Sequence, residues 1–83
     1  MNTPPTITKF YGATWCADCH RSRKFLDENN VTYVSVDIDE VPGAADEVAK
    51  INNGFKSIPT IVFSDGSVLV EPSNQELANK LQI

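Results

Sequence analysis

Both cysteines of the chain lie within one stretch of eight residues, TWCADCHR, which runs from Thr14 to Arg21. The same stretch contains the only tryptophan and the only histidine. Two cysteines placed at random in a chain of this length would be three positions apart in only roughly 2% of cases. A Cys-x-x-Cys pair can act as a redox-active dithiol, supply two ligands to a metal, or form a structural disulfide.

The position of the pair favours dithiol exchange. We predict that Cys16 lies where the first strand passes into the first helix, and there unpaired backbone N–H groups and the helix dipole stabilise a thiolate. Cys16 is therefore the candidate nucleophile, and Cys19, one turn into the helix, is the candidate resolving thiol. A purely structural disulfide is a poor alternative, because closing so short a loop stabilises a fold by only about 2 kcal/mol.

Metal binding is the second interpretation of the pair. A closed zinc site would need a ligand besides Cys16, Cys19 and His20, and the sequence contains no second Cys or His pair, although an Asp or Glu could complete the set. An iron–sulfur cluster bridging two copies of the chain also stays open, with Cys16 supplying a thiolate from each copy. We assign no metal ligand and expect no bound cofactor.

Composition limits the other classes of function. The chain has 83 residues, of which 41% are apolar and 22% charged, and this fits one small folded domain over residues 1–83. Its net charge of −4 argues against binding to nucleic acid. The sequence shows neither a secretory signal nor an apolar run long enough to cross a bilayer. We therefore expect a cytoplasmic monomer with no membrane partner.

The elements that must position the cysteines alternate in type. Strands are predicted over 6–11, 31–38, 59–63 and 67–70, and helices over 17–29, 44–54 and 73–81. Asp65-Gly66 predicts a hairpin between the last two strands, and Ser73 with Glu76 predicts a capping box on the last helix. The order β-α-β-α-β-β-α predicts an α/β fold, in which three helices flank a four-stranded mixed sheet.

Apolar periodicity indicates which side chains of the middle elements are buried. Alternation along the second strand predicts that Val34, Val36 and Ile38 share its inner face. Helical spacing predicts a buried stripe on the second helix, formed by Ala44, Val48 and Ile51, with Gly54 as its C-terminal cap. On the first strand, Tyr11 is expected to contribute to packing.

The segment KSIPT, residues 56–60, places Pro59 directly before the third strand. One interpretation is a proline that starts a strand, where its missing N–H does no harm. The other is a cis Ile58–Pro59 bond that shapes a loop beside the thiols. The backbone N–H and C=O of Ile58 would then pair with an extended substrate, in the manner of an added strand.

These motifs together resemble the glutaredoxin family of the thioredoxin superfamily: WCADC after the first strand, SIPT at 57–60, the SDG hairpin and the closing helix. The resemblance covers essentially the whole chain. It implies a thioredoxin-like fold with cis Pro59 and thiol–disulfide oxidoreductase activity. It also implies that Cys16 is the nucleophile, Cys19 the resolving thiol, and Ile58 and Pro59 the substrate-pairing loop. Lys56 matches a position where a basic side chain meets the carboxylate of the small thiol.

Departures from the family pattern concern the small thiol. Glutathione-binding members usually have Lys where this chain has Ala13, and a Gly-Gly followed by an acidic pair where this chain has VEPSNQEL. The runs IPTIVFSDGS and EPSNQEL are more similar to mycoredoxin-type proteins, which use mycothiol. We therefore expect mycothiol as co-substrate, with glutathione as the alternative. The expected partners are disulfide-containing or thiol-modified proteins and a recycling disulfide reductase. The alternative functions are an iron–sulfur carrier and an electron donor to a reductase.

Three neighbours of the thiols are further candidates. Trp15 is either an aromatic residue at the edge of the core or part of a docking surface for the partner. Asp18 suits the first turn of a helix but lies near a sulfur that should carry negative charge, and Arg21 and Arg23 would soften the repulsion. We expect Asp18 and Arg21 to tune the acidity of the nucleophilic thiol in opposite directions. His20 is expected to be an ordinary surface residue.

Overall fold

The computed structural model describes residues 3–83, and the predicted order of elements is confirmed there. The strands are β1 (Ile7–Gly12), β2 (Ser35–Asp37), β3 (Thr60–Phe63) and β4 (Val68–Val70). The helices are α1 (Ala17–Glu28), α2 (Ala44–Ile51) and α3 (Asn74–Leu81). None of these helices in residues 3–83 combines the length and the apolar character needed to cross a membrane.

The four strands form one mixed sheet in the order β2-β1-β3-β4. β1 runs parallel to β2 and antiparallel to β3, and β3 pairs with β4 through the predicted hairpin. Tyr11, near the end of β1, is paired with Thr60, at the start of β3. The segment that leads into Cys16 therefore lies beside the segment that follows Pro59.

The two faces of the sheet are covered by different helices. Because side chains alternate along a strand, Phe10 and Tyr11 point to opposite faces. Phe10 belongs to the larger apolar cluster, which takes Leu26 from α1 and Leu77 from α3. Tyr11 belongs to the smaller cluster, which is formed with Ala44 and Val48 of α2. The first and last helices thus share the face that carries the cysteines.

The second strand is shorter than predicted. It spans three residues, Ser35–Asp37, and the prediction that Val34 lies on its inner face is wrong, because this side chain is 60% exposed. Val36 and Ile38 are half-buried and pack on the smaller cluster. β2 is an edge strand paired only with β1. Edge strands are often short, and only one of their sides is held by a neighbour.

The second helix also ends early. α2 stops at Ile51, which is 37% exposed and so does not complete the predicted buried stripe. Asn53 adopts the left-handed conformation with φ 56°, and the N–H of Gly54 donates to the carbonyl of Ala49. This is the bonding pattern of a helix end in which the first residue past the cap is left-handed. The C-terminal turn therefore begins before Gly54.

Two local predictions are confirmed at the other end of the chain. Ser73 and Glu76 form a capping box at the start of α3, with each side chain accepting from the other residue's backbone N–H. Gly66 has φ 86°, which suits the tight turn between β3 and β4. Within that turn, the carboxylate of Asp65 accepts from the backbone N–H and the hydroxyl of Ser67.

Candidate active site

Cys16 is the residue that caps α1. Its backbone is extended, with φ −89° and ψ 111°, and its Sγ accepts a hydrogen bond from the N–H of Cys19 at 3.1 Å. Helix caps are usually Ser, Thr, Asp or Asn, whose oxygen fills the same role. Here a sulfur takes that place. The helix start therefore directs a backbone N–H at the sulfur.

Cys19 lies one turn later and is fully buried. Burial, followed by the hydrogen bond with Cys16, raises the pKa of the Cys19 thiol to about 12. Both cysteines are free in this structure. Cys16 is 7% exposed, so it is the more accessible of the two sulfurs, and Cys19 stays protonated at neutral pH.

The Ile58–Pro59 peptide bond is cis, as predicted. The carbonyl of Ile58 lies 3.9 Å from Sγ of Cys16, which places this loop against the thiols. Within residues 3–83 the N–H of Ile58 makes no hydrogen bond, so it is available to a substrate backbone. The Ile58 side chain is buried in the larger cluster.

Neighbouring polar groups hold the Ile58–Pro59 loop in place. The hydroxyl of Thr60 donates to the carbonyl of Ser57 at 2.6 Å and accepts from the Asn52 side chain at 3.0 Å. The carbonyl of Pro59 accepts from the N–H of Glu71 at 2.8 Å. The loop is thus tied to α2 and to the segment before α3.

Two aromatic side chains are exposed in the loops that lead to Cys16 and to Ile58. Trp15 is 69% exposed, and its indole Nε1 donates to the carboxylate of Asp39 at 2.7 Å. Phe55 is also 69% exposed, and it precedes the exposed Lys56 in the loop that leads to Ile58. Phe55 was not predicted as a site residue. Its signal in the sequence is an aromatic residue next to Gly54, between two elements, shortly before the Ile58–Pro59 motif.

Asp18 and Arg21 form an ion pair one turn apart, with Nε of Arg21 3.8 Å from the carboxylate. The rest of the guanidinium turns toward α3. It donates to the Asn74 side chain at 2.6 Å and to the carbonyl of Pro72 at 2.8 Å. Arg21 therefore joins the helix that carries the cysteines to the start of α3, and a tuning role for the pair stays a prediction.

Two residues, Gly12 and Arg23, lie beside Cys19, where the sequence did not place them. A Cβ atom on Gly12 would lie 3.0 Å from Sγ of Cys19 and 2.9 Å from Nη2 of Arg23, so a larger residue at this position would force both neighbours to shift. The sequence indicates Gly12 merely as the end of a strand. Arg23 could have been found from its spacing, because residues four apart share a helix face and Arg23 follows Cys19 at that distance.

The remaining candidates have structural contacts. A ring nitrogen of His20 is hydrogen-bonded to the carbonyl of Thr14, which links α1 back to the preceding loop. The hydroxyl of Tyr11 donates to Glu47, and burial together with this carboxylate raises the pKa of Tyr11 to about 12. In the part of the chain that the structure describes, no three side chains of His, Cys, Asp or Glu are grouped so that they could hold a metal ion.

The sequence is similar to those of known proteins that share one family. The family model described as glutaredoxin matches residues 7–69. A candidate glutaredoxin of Mycobacterium tuberculosis is 39% identical over 71 residues, which cover 86% of this chain and 84% of that protein. Mycoredoxin 1 of Corynebacterium glutamicum is 32% identical over 72 residues, covering 87% of this chain and 89% of the relative.

Comparisons with solved structures support the predicted fold. A variant of a thioredoxin-like protein superposes with a TM-score of 0.79 at 28% identity, covering 90% of this chain and 94% of the other. A glutaredoxin from Archaeoglobus fulgidus gives a TM-score of 0.77 at 21% identity, covering 95% and 88%. The α/β thioredoxin-like architecture predicted from the sequence is therefore confirmed.

Proposed function

This chain belongs to the glutaredoxin family, whose activity is thiol–disulfide exchange, and we propose that it reduces disulfides and mixed disulfides with mycothiol as its low-molecular-weight thiol. The observation that carries the proposal is the placement of the Cys16 sulfur. It caps α1, accepts the N–H of Cys19 at 3.1 Å, and lies 3.9 Å from the carbonyl of Ile58. A thiolate at this position is stabilised by the helix and stands beside a free backbone edge.

In the first step the thiolate of Cys16 attacks one sulfur of the substrate disulfide. A new bond joins Cys16 to that sulfur, and the other substrate sulfur leaves as a thiolate that takes up a proton. The N–H of Ile58 is free within residues 3–83 and can hold the extended backbone of a protein substrate during this attack. Trp15 and Phe55 offer exposed aromatic surface for the same partner.

The mixed disulfide on Cys16 can be resolved in two ways. In the dithiol route Cys19 attacks Cys16 and releases the reduced substrate. In the monothiol route a small thiol attacks the mixed disulfide instead, and Cys19 is not needed. After the dithiol route, two molecules of the small thiol reduce the disulfide between Cys16 and Cys19. A disulfide reductase then recycles the oxidised small thiol. We place this cycle in the cytoplasm, because a reducing compartment keeps such thiols available. We also propose that the protein acts as a monomer.

The choice of mycothiol rests on the segment before α3 and on the relatives. Glutathione-binding members grip the charged ends of glutathione with an acidic pair after Gly-Gly, whereas this chain has Glu71, Pro72, Ser73 and Asn74 there. The side chain of Asn74 and the carbonyl of Pro72 already accept hydrogen bonds from Arg21. Two relatives come from mycobacteria and corynebacteria, and one of them is named a mycoredoxin.

The proposal is tested by a coupled assay in which mycothiol or glutathione, each with its own reductase, reduces a mixed disulfide. We expect at least tenfold higher turnover with mycothiol, which corresponds to about 1.4 kcal/mol of discrimination. Equal or higher turnover with glutathione would overturn the choice of thiol but not the exchange reaction. A brown protein with visible absorbance after purification would instead favour the iron–sulfur alternative.

The cysteine variants test the assignment of roles. Cys16→Ser is expected to abolish reduction of every disulfide, since it removes the attacking sulfur. Cys19→Ser is expected to retain turnover of small-thiol mixed disulfides and to lose the dithiol route. The matched control is Ser57→Ala, a small hydroxyl replacement in the loop before Ile58. Turnover by Cys16→Ser would show that the nucleophile is wrongly assigned.

A further inference from the structure

Arg23 has no role in the exchange reaction as described so far, yet its guanidinium lies close to the resolving sulfur. A Cβ on Gly12 would lie 2.9 Å from Nη2 of Arg23 and 3.0 Å from Sγ of Cys19. Since Nη2 of Arg23 and Sγ of Cys19 both lie about 3 Å from that one position, the two atoms are at most about 6 Å apart. At this distance a charge acts strongly on a buried group.

The charge of Arg23 is not neutralised by a neighbour. No carboxylate in residues 3–83 forms an ion pair with it. The guanidinium lies over the ring of Phe10, 5.0 Å from its centroid, and Nη2 donates to the hydroxyl of Ser35 at 3.3 Å. The side chain is half-buried, so these contacts fix its position and reduce the screening of its charge by solvent.

Four influences act on the thiol of Cys19. Burial and the neighbouring Cys16 raise its pKa, and the backbone amide of Ala13 and, by the smallest amount, the charge of Arg23 lower it. From β1 the sulfur faces Gly12, which is not ionisable. When Cys16 is in a mixed disulfide it carries no charge, so its effect on Cys19 disappears. The charge of Arg23 still acts on Cys19 in the mixed disulfide, which is the state in which Cys19 must react.

We propose that Arg23 is a positioning residue for the resolving step, in which its guanidinium stabilises the negative charge that develops on the Cys19 sulfur. The proposal rests on the exchange reaction proposed above and names a residue that directs it. The sulfur of Cys19 forms a bond to the sulfur of Cys16. The bond between Cys16 and the substrate sulfur breaks with its electron pair on the substrate.

The groups that react in that step determine in which of the two routes Arg23 acts. In this step the mixed disulfide is exchanged for the disulfide between Cys16 and Cys19, and the proton of Cys19 ends on the released substrate thiol. Over the attack by Cys16 and this step together, the two cysteines lose two electrons and the substrate disulfide gains them. Arg23 assists this dithiol route because Cys19 is the attacking group. In the monothiol route the attacking group is an external thiol, so Arg23 has no sulfur to stabilise. Arg23 therefore sets how often the protein takes the dithiol route.

The first test compares Arg23→Met with Lys24→Met in the full chain. Both variants remove one positive charge from α1, but Lys24 is exposed to solvent. The mixed disulfide of Cys16 with a small thiol is prepared, and its conversion to the internal disulfide is followed in a single turnover. We expect Arg23→Met to slow this conversion about threefold, which is the net effect of one pKa unit once the greater nucleophilicity of the more basic thiolate is included, and Lys24→Met to leave it unchanged.

Two further variants separate the charge of Arg23 from its packing. Arg23→Lys is expected to restore most of the rate, because the charge is retained. Arg23→Gln keeps a donor for Ser35 without the charge and is expected to behave like Arg23→Met. Reduction of mixed disulfides by the small thiol is expected to stay at the parent rate in all of them. An unchanged conversion in both Met and Gln variants would overturn the proposal.

The second test does not depend on turnover. In a Cys16→Ser background Cys19 is the only thiol, and the serine provides the uncharged neighbour that a mixed disulfide would provide. Because Cys19 is buried and its pKa is about 12, the rate of its alkylation by a small reagent is followed only over the mildly alkaline range in which the protein stays folded. We expect the rates for Arg23→Met to lie about threefold below those of the parent at each pH, and those for Lys24→Met to be unchanged.

The outcomes of the two tests distinguish the hypotheses. Coincident alkylation profiles for the Arg23→Met variant and its parent would overturn the role of Arg23. A parent protein that reduces no disulfide with any small thiol would overturn the proposed function instead, and the alkylation profiles would still report on Arg23.

Discussion

The two ends of the sheet are held together by different kinds of contact. At the thiol end, Cys16 meets the carbonyl of Ile58, which is 42 positions away in sequence, and Cys19 packs against Gly12. At the hairpin end, Asp65 binds Ser67, which is two positions away. The hairpin turn can form locally, whereas the reactive sulfurs reach their positions only when distant segments have come together.

The difference between the two ends of the sheet is tested most directly by adding one methyl group at each end. Gly12→Ala places a Cβ within 3.0 Å of both Cys19 and Arg23, and such overpacking is expected to lower the free energy of unfolding by about 3 kcal/mol. Gly66→Ala has no atom within 4 Å and suffers only from its φ of 86°, so a loss of about 1 kcal/mol is expected. Urea denaturation of the two variants measures both values.

The same pair of variants also separates the two ends by activity. Gly12→Ala is expected to impair the dithiol route at temperatures where the protein is still folded, because the sulfur of Cys19 must move. Gly66→Ala is expected to leave that route intact. Equal losses of stability, or an unaffected dithiol route in Gly12→Ala, would contradict the view that the thiol end depends on tight packing.

The next largest effect is expected at the link between α1 and α3. Arg21→Met removes hydrogen bonds from a charged donor to Asn74 and Pro72, and we expect a loss of about 1.5 kcal/mol in the free energy of unfolding. Lys24→Met is the matched control, since it removes an exposed positive charge from the same helix. Equal stabilities of the two variants would show that the link contributes little.

A smaller effect, of opposite sign, is expected inside the larger cluster. The hydroxyl oxygen of Ser22 is buried and has no hydrogen-bond partner in the described part of the chain. Ser22→Ala is therefore expected to increase the free energy of unfolding by about 1 kcal/mol. Toward the hairpin end, the hydroxyl of Ser64 accepts from the N–H of Thr6 at 3.0 Å, so Ser64→Ala is expected to lose stability. A destabilised Ser22→Ala would mean that its oxygen has a bound partner.

The smallest effect is expected at Asp65 and depends on pH. Hydrogen bonds from Ser67, together with Lys80, lower the pKa of Asp65 from 3.8 to about 2. The folded state therefore favours the ionised carboxylate, and this contribution is present above pH 3.8 and is lost as the pH falls toward about 2. Asp65→Asn is expected to flatten that part of the stability profile, measured by urea midpoints across the range. Glu28→Gln, an exposed acid on α1, is the control.

The sequence predicted those features whose causes are local. The capping box of Ser73 and Glu76 and the turn at Gly66 follow from a few adjacent residues, and both are confirmed. The placement of Cys16 at a helix start was also predicted correctly, and it needs only the order of elements and the identity of neighbouring residues. The cis bond at Pro59, one of two interpretations of the residues, was implied by the resemblance to glutaredoxins and is confirmed.

The features that the sequence could not predict depend on packing between residues that are far apart in the sequence. The spacing of Arg23 from Cys19 indicates a shared helix face, but the approach of both to Gly12 follows from the packing of α1 on β1. The exposure of Val34 follows from the position of β2 at the sheet edge, which alternation along one strand does not reveal. The hydrogen bond between Trp15 and Asp39 joins two loops, so no local sequence pattern predicts it.

The sulfur that caps α1 is also the atom whose oxidation state changes during catalysis. Its hydrogen bond with the N–H of Cys19 is expected to weaken when the sulfur is bonded to another sulfur, since a charged acceptor binds more strongly than a neutral one. Helix capping and oxidation therefore belong to one thermodynamic cycle, and the hydrogen bond favours the reduced protein by the difference between its free energies in the two oxidation states. In a nuclear magnetic resonance spectrum, the amide proton of Cys19 would report the oxidation state of the whole protein.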